Sequence, residues 1–402
     1  MVEEGRSDGV GVARLRTGDR LALRAWFGTR AAVLGISLLA SALWSYGDLH
    51  DSFLGRWTQW DVDHFVEIAQ YGYRGNPAHP PDAGLPAFFP GLPLVLRILH
   101  PLIPNWELSA LLVSLVAGAV ASVALARLGE QAVTGADGSG VDAGGSGAHA
   151  GHSRLGAHAG SPLSGAGPRA VFALLVSPYA VFLFAGYSET LFLAFALPAW
   201  LLARQRRWPA AVLCAAGASC VRVTGLFLAA ALIVEFLTAD RRWRSAPWLA
   251  VPFLPVLGYA AYLWRRTGDW SAWQHAQEAG WGRSTVWPWT SFETTWQAAF
   301  GTHDQFTTAF RVELIAAAVG VALTCWLLWR RQWAESVYVG LPLISLLTSA
   351  YYLSIGRATL LWWPLWLAVG RCRRPAYVIL IVVFLPLMTA EVVTYNSGGW
   401  AG

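Results

Sequence analysis

The segment 56–73, which follows the first long apolar run, is rich in side chains that could take part in chemistry. It carries five ionisable side chains, namely Arg56, Asp61, Asp63, His64 and Glu67. A carboxylate can accept a proton from an attacking hydroxyl group, and a nearby histidine can orient either group. Acidic side chains are costly beside a bilayer, so such a cluster is typical of a functional site. We therefore expect acid–base chemistry on a substrate held at a membrane.

Hydrophobic periodicity predicts a short amphipathic helix over 60–71. Asp61 and His64 would share one polar face of this helix, and Asp63 and Glu67 would form a neighbouring face. A solvated face of an interfacial helix explains the same pattern without any chemistry, so both interpretations stay open at this point. The apolar face on the bilayer would consist of Val62, Phe65, Val66 and Ala69.

Composition identifies the class of protein. Of the 402 residues, 55% are hydrophobic and 13% are charged, and the mean hydropathy is +0.43. A soluble domain carries about 25% charged residues. All 29 basic residues are arginines, which indicates high-GC coding and a bacterial source. They lie in short clusters rather than on one basic face, so nucleic acid is not an expected partner. The four cysteines show no spacing typical of a disulfide frame or a zinc site.

Apolar runs long enough to span a bilayer predict an all-α polytopic membrane protein with about eleven transmembrane helices. The stretch 86–103 is apolar too, but its four prolines favour an interfacial or re-entrant segment. The predicted spans are 26–46, 107–128, 169–186, 188–203, 208–221, 223–238, 246–264, 310–329, 333–353, 358–370 and 375–394.

Arginine placement predicts the orientation of these helices. Short cytoplasmic loops are rich in arginine. One assignment of the loops to the two sides of the membrane, which we call the threading, puts five arginine-rich segments on the cytoplasmic side. These are the tail 1–25, Arg204/Arg206/Arg207, Arg241/Arg242/Arg244, Arg330/Arg331 and Arg371/Arg373/Arg374. Residues 26–402 then form one domain in the bacterial plasma membrane, and 47–106 is its first extracytoplasmic loop.

The same threading places several polar segments together on the extracytoplasmic side. They are 56–73, 187–189, Arg222, Arg265/Arg266, 267–308 and 354–357. Arg265 and Arg266 are exceptions to the preference for cytoplasmic arginine, and an anionic ligand would explain them. A snorkelling or topological role would explain them equally well.

Two regions are predicted to be loops rather than spans. Residues 129–167 are rich in Gly, Ala and Ser and predict a flexible cytoplasmic linker, in which His149, His152 and His158 would lack the fixed geometry of a metal site. The loop 267–308 is rich in tryptophan. An interfacial belt explains most of these residues, and sugar stacking is the alternative for one or two. The tryptophans are Trp270, Trp273, Trp281, Trp287, Trp289 and Trp296.

Five short motifs, in order from residue 56 to residue 366, resemble those of the PIG-V-like mannosyltransferases, a family of the GT-C class of membrane glycosyltransferases. Each motif alone is weak, and their order and common side give the resemblance its specificity. Asp63, Gly91 and the linker depart from the family pattern. The motifs are Trp60-Asp61 with His64-Phe65 and Tyr71-Gly72-Tyr73, then Phe88-Phe89-Pro90, Ser177-Pro178 with Tyr187-Ser188-Glu189, Arg222-Val223-Thr224-Gly225, and Ser354-Ile355-Gly356-Arg357 with Trp363-Pro364.

The resemblance implies a GT-C fold and an inverting transfer of mannose from a polyprenyl-phosphate-mannose donor to an acceptor hydroxyl on the extracytoplasmic side. Asp61 would be the general base, and His64 would orient it or the acceptor. The donor phosphate would be bound by Arg222, Arg265, Arg266 and Arg357, because arginine can bind phosphate in a bidentate fork. Substrate-binding residues would be Trp60, Asp63, Tyr187, Glu189 and Ser354, although Glu189 could instead stabilise a helix N-terminus.

No cofactor is required by this scheme. Asp61 and Asp63 could bind Mg²⁺ or Mn²⁺ with the donor phosphate, but two carboxylates make a poor site. The expected partners are the polyprenyl-phosphate sugar, a lipid or glycoconjugate acceptor, and membrane lipids. Two alternatives remain open: the same fold with another sugar, and a lipid or sugar transporter or flippase. A transporter usually shows internal repeats, and none is visible in the sequence.

Overall fold

The computed structural model describes residues 15–43, 53–137, 165–239, 243–301 and 306–399. Within these ranges every regular element is helical, apart from an isolated bridge between Thr285 and Ser349. The α-helices are α1 (Thr17–Leu43), α2 (Asp61–Tyr71), α3 (Gly91–Leu99), α4 (Trp106–Asp137), α5 (Ala166–Leu175), α6 (Ser188–Arg204), α7 (Trp208–Val221), α8 (Gly225–Thr238), α9 (Leu254–Thr267), α10 (Ala272–Trp281), α11 (Pro288–Phe300), α12 (Thr307–Trp329), α13 (Trp333–Leu347), α14 (Ile355–Ala358), α15 (Trp363–Arg371) and α16 (Arg374–Asn396).

Within the described ranges, five helical stretches are long and apolar enough to cross a membrane. They are α1, α4 up to Gln131, α12, α16, and the stretch Trp243–Thr267, in which a 3-10 segment leads into α9. These long apolar helices are those of a membrane-embedded protein. Several other predicted spans form shorter helices, such as α7 and α8, so the count of eleven stays a prediction.

The predicted span 169–186 is not continuous. Helix α5 ends at Leu175, and a 3-10 segment follows over Pro178–Leu183. Pro178 explains the break, because proline lacks a backbone N–H and disfavours helical geometry at the residue before it.

Arg30 of α1 stabilises this break. Its Nη1 donates to the carbonyl of Ala180 and its Nη2 to that of Leu175, each at 2.8 Å. The side chain is only 2% exposed and lies over the ring of Trp26. The guanidinium therefore satisfies carbonyl groups that the interrupted helix leaves without partners.

The predicted linker begins later than expected. Helix α4 continues to Asp137, past the predicted boundary at residue 129, because Glu130, Gln131 and Ala132 are good helix formers. Helix α5 begins at Ala166. Residues 138–164, with the three histidines of the predicted linker, lie outside the described residues.

The first loop contains the predicted amphipathic helix. Helix α2 covers Asp61–Tyr71 and buries the predicted apolar face of Val62, Phe65, Val66 and Ala69. This face packs in the protein core rather than on the bilayer, where the sequence analysis places it, so the amphipathic pattern reflects burial against other helices. Helix α3 lies in the proline-containing stretch 86–103. It has nine residues and is about 13 Å long, too short to cross a hydrocarbon core of about 30 Å.

A glycine allows the start of α3 to lie directly against the end of α7. A Cβ atom at Gly91 would lie 2.7 Å from the carbonyl oxygen of Cys220, so no side chain fits there. Close packing therefore explains why Gly91 stands where the resemblance leads one to expect a leucine.

The bundle has two chemically different ends. At one end the start of α6, the end of α7 and the start of α8 line a large cavity. We call this the cavity end. At the other, a cavity of about 90 Å³ has Arg204, Gln332 and Arg371 among its lining residues. We call this the arginine end, because two of the predicted cytoplasmic arginine clusters meet there.

Candidate functional site

The large cavity has a volume of about 370 Å³ and collects polar side chains from distant parts of the chain. All five sequence motifs contribute lining residues. Aromatic and aliphatic groups form the rest of the wall, among them Trp60, Phe88, Phe89 and Phe227. The polar lining residues are Asp61, Tyr187, Ser188, Arg222, Thr224, Gln277, Arg283, Tyr338, Ser345, Ser354 and Arg357.

The start of α2 places Asp61 in this cavity. Trp60 has φ 58° and ψ −122°, a conformation that costs a non-glycine residue free energy, and it turns the chain directly into the helix. The preceding residue is fixed from two sides, since the Nε2 of Gln59 donates to the carbonyls of Arg56 and Tyr395. Trp60 remains 44% exposed and lines the cavity beside Asp61.

Four charged side chains form a chain of ion pairs at this site. Arg357 pairs with Asp61 through Nη1 at 2.9 Å and with Glu189 through Nε at 3.3 Å. The same Oε1 atom of Glu189 accepts from Arg222 Nη1 at 2.9 Å. Arg222 Nη1 also donates to Ser188 Oγ at 2.6 Å. Residues separated by almost three hundred positions in sequence thus share one network.

Glu189 lies behind the two arginines rather than on the cavity wall. Its side chain is 1% exposed, and it is not among the lining residues. The carboxylate is therefore positioned to hold Arg222 and Arg357 side by side. This placement differs from the predicted contact between Glu189 and substrate.

Arg357 remains a cation in this setting. Burial lowers the pKa of its guanidinium, but Asp61 and Glu189 outweigh that effect and raise the pKa above its usual range. The guanidinium also lies 5.3 Å from the ring centroids of Phe182 and Tyr187. Two acids and two aromatic rings therefore fix both its charge and its position.

The turn that carries Arg357 is itself tightly held. Ser354 adopts a left-handed conformation at φ 61°, and Glu313 Oε2 accepts from the backbone N–H groups of Ile355 and Gly356 at 2.7 and 3.3 Å. A Cβ atom at Gly356 would lie 2.3 Å from the hydroxyl oxygen of Tyr179. The sequence analysis did not single out Glu313, because it lies within an apolar run.

Arg283 is a cavity residue that the sequence analysis missed. It follows the left-handed Gly282 at the end of α10, and its Nη2 donates to the carbonyl of Leu353 at 3.2 Å. Tyr351 donates to the carbonyl of Trp281 at 2.8 Å, which ties the same loop to the segment before Arg357. A signal was available, because Arg283 is another arginine in a loop predicted to be extracytoplasmic.

His64 lies on α2 but not on the cavity wall. Its Nε2 is 3.1 Å from Asp82 Oδ2, its Nδ1 is 3.0 Å from the carbonyl of Trp60, and its ring stacks on Phe88. These contacts link the helix start to the loop that Asp82 caps through the N–H of Gly84. The structure thus places His64 where it can support Trp60 and Phe88, and it does not pair His64 with Asp61.

Three other predicted site residues are also outside the cavity lining. Asp63 is exposed on α2. Arg265 and Arg266 are exposed in the last turn of α9, where Arg266 donates to the hydroxyl group of Tyr262 at 3.1 Å. The structure therefore brings together Asp61, Arg222 and Arg357, with Trp60, Tyr187 and Ser354, but not these three.

The tryptophans of the 267–308 loop divide into two groups. Trp273 and Trp281 line the cavity, and Trp273 Nε1 donates to the carbonyl of Ala87 at 3.2 Å. The exposed group is larger: Trp270, Trp287, Trp289 and Trp296 are 49–68% exposed. The exposed tryptophans are therefore available for an interfacial belt, and the two in the cavity are available for stacking on a sugar.

A metal-binding arrangement of three or more His, Cys, Asp and Glu side chains is not found among the described residues. Metal independence stays a prediction. Comparisons with protein-family models, curated proteins and solved structures found no match. Function must therefore be inferred from the site itself.

Proposed function

We propose that the chain is an inverting membrane glycosyltransferase of the GT-C class that moves mannose from polyprenyl-phosphate-mannose to a lipid or glycoconjugate acceptor. One observation carries the proposal: residues from all five motifs of the PIG-V-like resemblance line one cavity. Motifs that matched by chance would have no reason to converge in space. The reaction would take place on the extracytoplasmic side of the bacterial plasma membrane, where the threading of the helices puts the cavity.

Asp61 supplies the base. As the acceptor hydroxyl attacks the anomeric carbon of the donor, its proton passes to the Asp61 carboxylate and a new carbon–oxygen bond forms. The bond between that carbon and the phosphate oxygen breaks on the opposite face, and the polyprenyl phosphate leaves with the bonding electrons. Mannose is thereby transferred with inversion.

The arginines offset charge on the leaving group. Negative charge grows on the phosphate as the bond breaks, and fixed guanidinium groups in a partly closed cavity stabilise it. Arg222 and Arg357 are already positioned by Glu189, so little reorganisation is needed during the reaction. The donor scheme itself needs no metal, because the phosphate is a competent leaving group.

The apolar wall suits a lipid-linked donor. Phe88, Phe89, Phe227 and Leu346 give the cavity a surface on which the first isoprene units can pack. Trp60 and Trp281 lie on the same wall and can stack against a sugar ring. The cavity thus offers apolar and polar contacts to the two halves of one donor molecule.

The direct test is a transfer assay with purified full-length protein. Radiolabelled polyprenyl-phosphate-mannose is incubated with a panel of lipid acceptors, and labelled products are separated from the donor. We expect a labelled glycolipid, with activity retained in chelator. The proposal fails if no polyprenyl-phosphate sugar yields product, or if vesicles show movement of the lipid without transfer. Transfer from another polyprenyl-phosphate sugar would correct the choice of mannose, and recovery only with Mn²⁺ would contradict metal independence.

A further inference from the structure

Arg283 is an arginine of the cavity lining that no carboxylate pairs with. Arg222, Arg283 and Arg357 all line the cavity. Glu189 pairs with Arg222, and both Asp61 and Glu189 pair with Arg357. Asp61 and Glu313 act on Arg283 only through longer-range attraction, so in the described part of the chain its guanidinium has no carboxylate within pairing distance.

The guanidinium of Arg283 also has unused donors. Its Nη2 donates to the carbonyl of Leu353, while its buried Nε has no hydrogen-bond partner among the described residues. A buried N–H without a partner is costly, and a turn of the guanidinium that presents Nε to an acceptor in the cavity would remove that cost. Nε and one Nη of arginine form a fork that fits two oxygens of a phosphate.

The electrostatic setting favours an anion. Burial lowers the pKa of Arg283 to about 10, and the nearby Arg357 acts in the same direction, whereas Asp61 and Glu313 offset only part of this effect. A pKa of about 10 still leaves the group charged at neutral pH. The site therefore contains a cation that its surroundings destabilise and that an anionic ligand would stabilise.

We propose that Arg283, rather than Arg265 or Arg266, is the primary anchor for the phosphate of a lipid phosphate in this cavity. The apolar wall of the same cavity indicates a phosphate carried on a hydrocarbon chain rather than inorganic phosphate. Arg357 then faces the reacting side of the same phosphate, next to Asp61. This assignment rests on the proposed function only for the identity of the lipid.

The test measures binding and does not require sugar transfer. Full-length protein in nanodiscs is titrated with polyprenyl monophosphate, with the neutral polyprenol and with inorganic phosphate, and thermal stabilisation gives each apparent Kd. We expect Arg283→Gln to weaken polyprenyl phosphate binding by about 10- to 100-fold and to leave polyprenol binding unchanged. Arg283→Lys, which keeps the charge but not the fork, should lose about tenfold or less. Arg74→Gln, at an exposed arginine outside the cavity lining, is the matched control.

Each contrary result is distinct. Unchanged binding in Arg283→Gln overturns the assignment, as does equal weakening of polyprenol, which would indicate a structural role through Leu353. Protection by inorganic phosphate alone would assign the site to free phosphate and overturn the lipid anchor. If the lipid phosphate binds as expected but no sugar is transferred, the proposed function fails and the role of Arg283 stands.

Discussion

The two ends of the helix bundle hold arginine in different ways. At the arginine end, Arg204 is half-exposed and lies 3.5 Å from Glu235, and Arg330 and Arg331 are exposed. At the cavity end, Arg222 and Arg357 have side chains 23% and 13% exposed and pair with acids at 2.9 Å. The same residue type is therefore exposed or weakly paired at one end and held by closely placed acids at the other.

The comparison teaches that the partner of an arginine is more informative than the arginine itself. Burying a guanidinium is costly, and pairing with a well-placed carboxylate offsets that cost. Glu189 contacts two arginines through one oxygen, whereas Glu235 contacts one arginine weakly. The arginines of the cavity end are therefore held in fixed positions, whereas Arg204 is held by one longer contact with an acid.

The largest effect is expected for Asp61→Asn. The amide keeps the size of the side chain but cannot act as a base, so transfer should fall by about two orders of magnitude or more. Initial rates with polyprenyl-phosphate-mannose measure the change. Asp63→Asn, on the exposed side of α2, is the control and should be much milder. Full activity of Asp61→Asn would remove the base from the scheme.

A smaller effect, on stability, separates the two buried glutamates. Glu189→Gln leaves two partly buried arginines with only the Asp61 carboxylate, which pairs with Arg357, and should cost about 3 kcal/mol. Glu235→Gln removes a single pair with a half-exposed arginine and should cost about 1 kcal/mol or less. Thermal or denaturant unfolding of the detergent-solubilised variants measures both. Equal losses of unfolding free energy in the two variants would contradict the claim that acids hold arginine more tightly at the cavity end than at the arginine end.

The smallest effect is expected for Arg204→Gln. This substitution should leave the transfer rate within about twofold of wild type, because a half-exposed ion pair contributes little and lies at the far end of the bundle. Arg222→Gln is its counterpart and should reduce transfer by about tenfold or more, since it loses bonds to Ser188 and Glu189. Similar losses in both variants, measured as kcat and KM, would contradict the comparison.

Much of the helical layout could be predicted from the sequence. Hydrophobic runs gave α7 at its observed bounds, and the helical period gave α2 to within one residue. Both signals can be read from neighbouring residues, because burial in lipid or protein requires apolar side chains at those positions. The break at Pro178 was missed as a boundary because the residues on both sides are apolar.

The site was predictable only where a residue lies in a motif. Asp61, Arg222 and Arg357 were identified in this way, but Arg283 has no motif and Asp82, the partner of His64, lies in a proline-rich loop. Arg265 and Arg266 show the converse. They were selected because arginine is unusual on the predicted extracytoplasmic side. The sequence does not show whether side chains in the last turn of a helix point into a cavity or away from it.

The contact between Arg30 and the interrupted segment has a consequence for biogenesis. The carbonyl groups of Leu175 and Ala180 lie 145 and 150 residues downstream of the guanidinium that satisfies them. Each partner alone is costly in hydrocarbon, because the guanidinium is charged and the two carbonyl groups lack hydrogen-bond donors. We therefore expect the first helix to stay beside the translocon until residues 166–183 emerge, so that both enter the bilayer together.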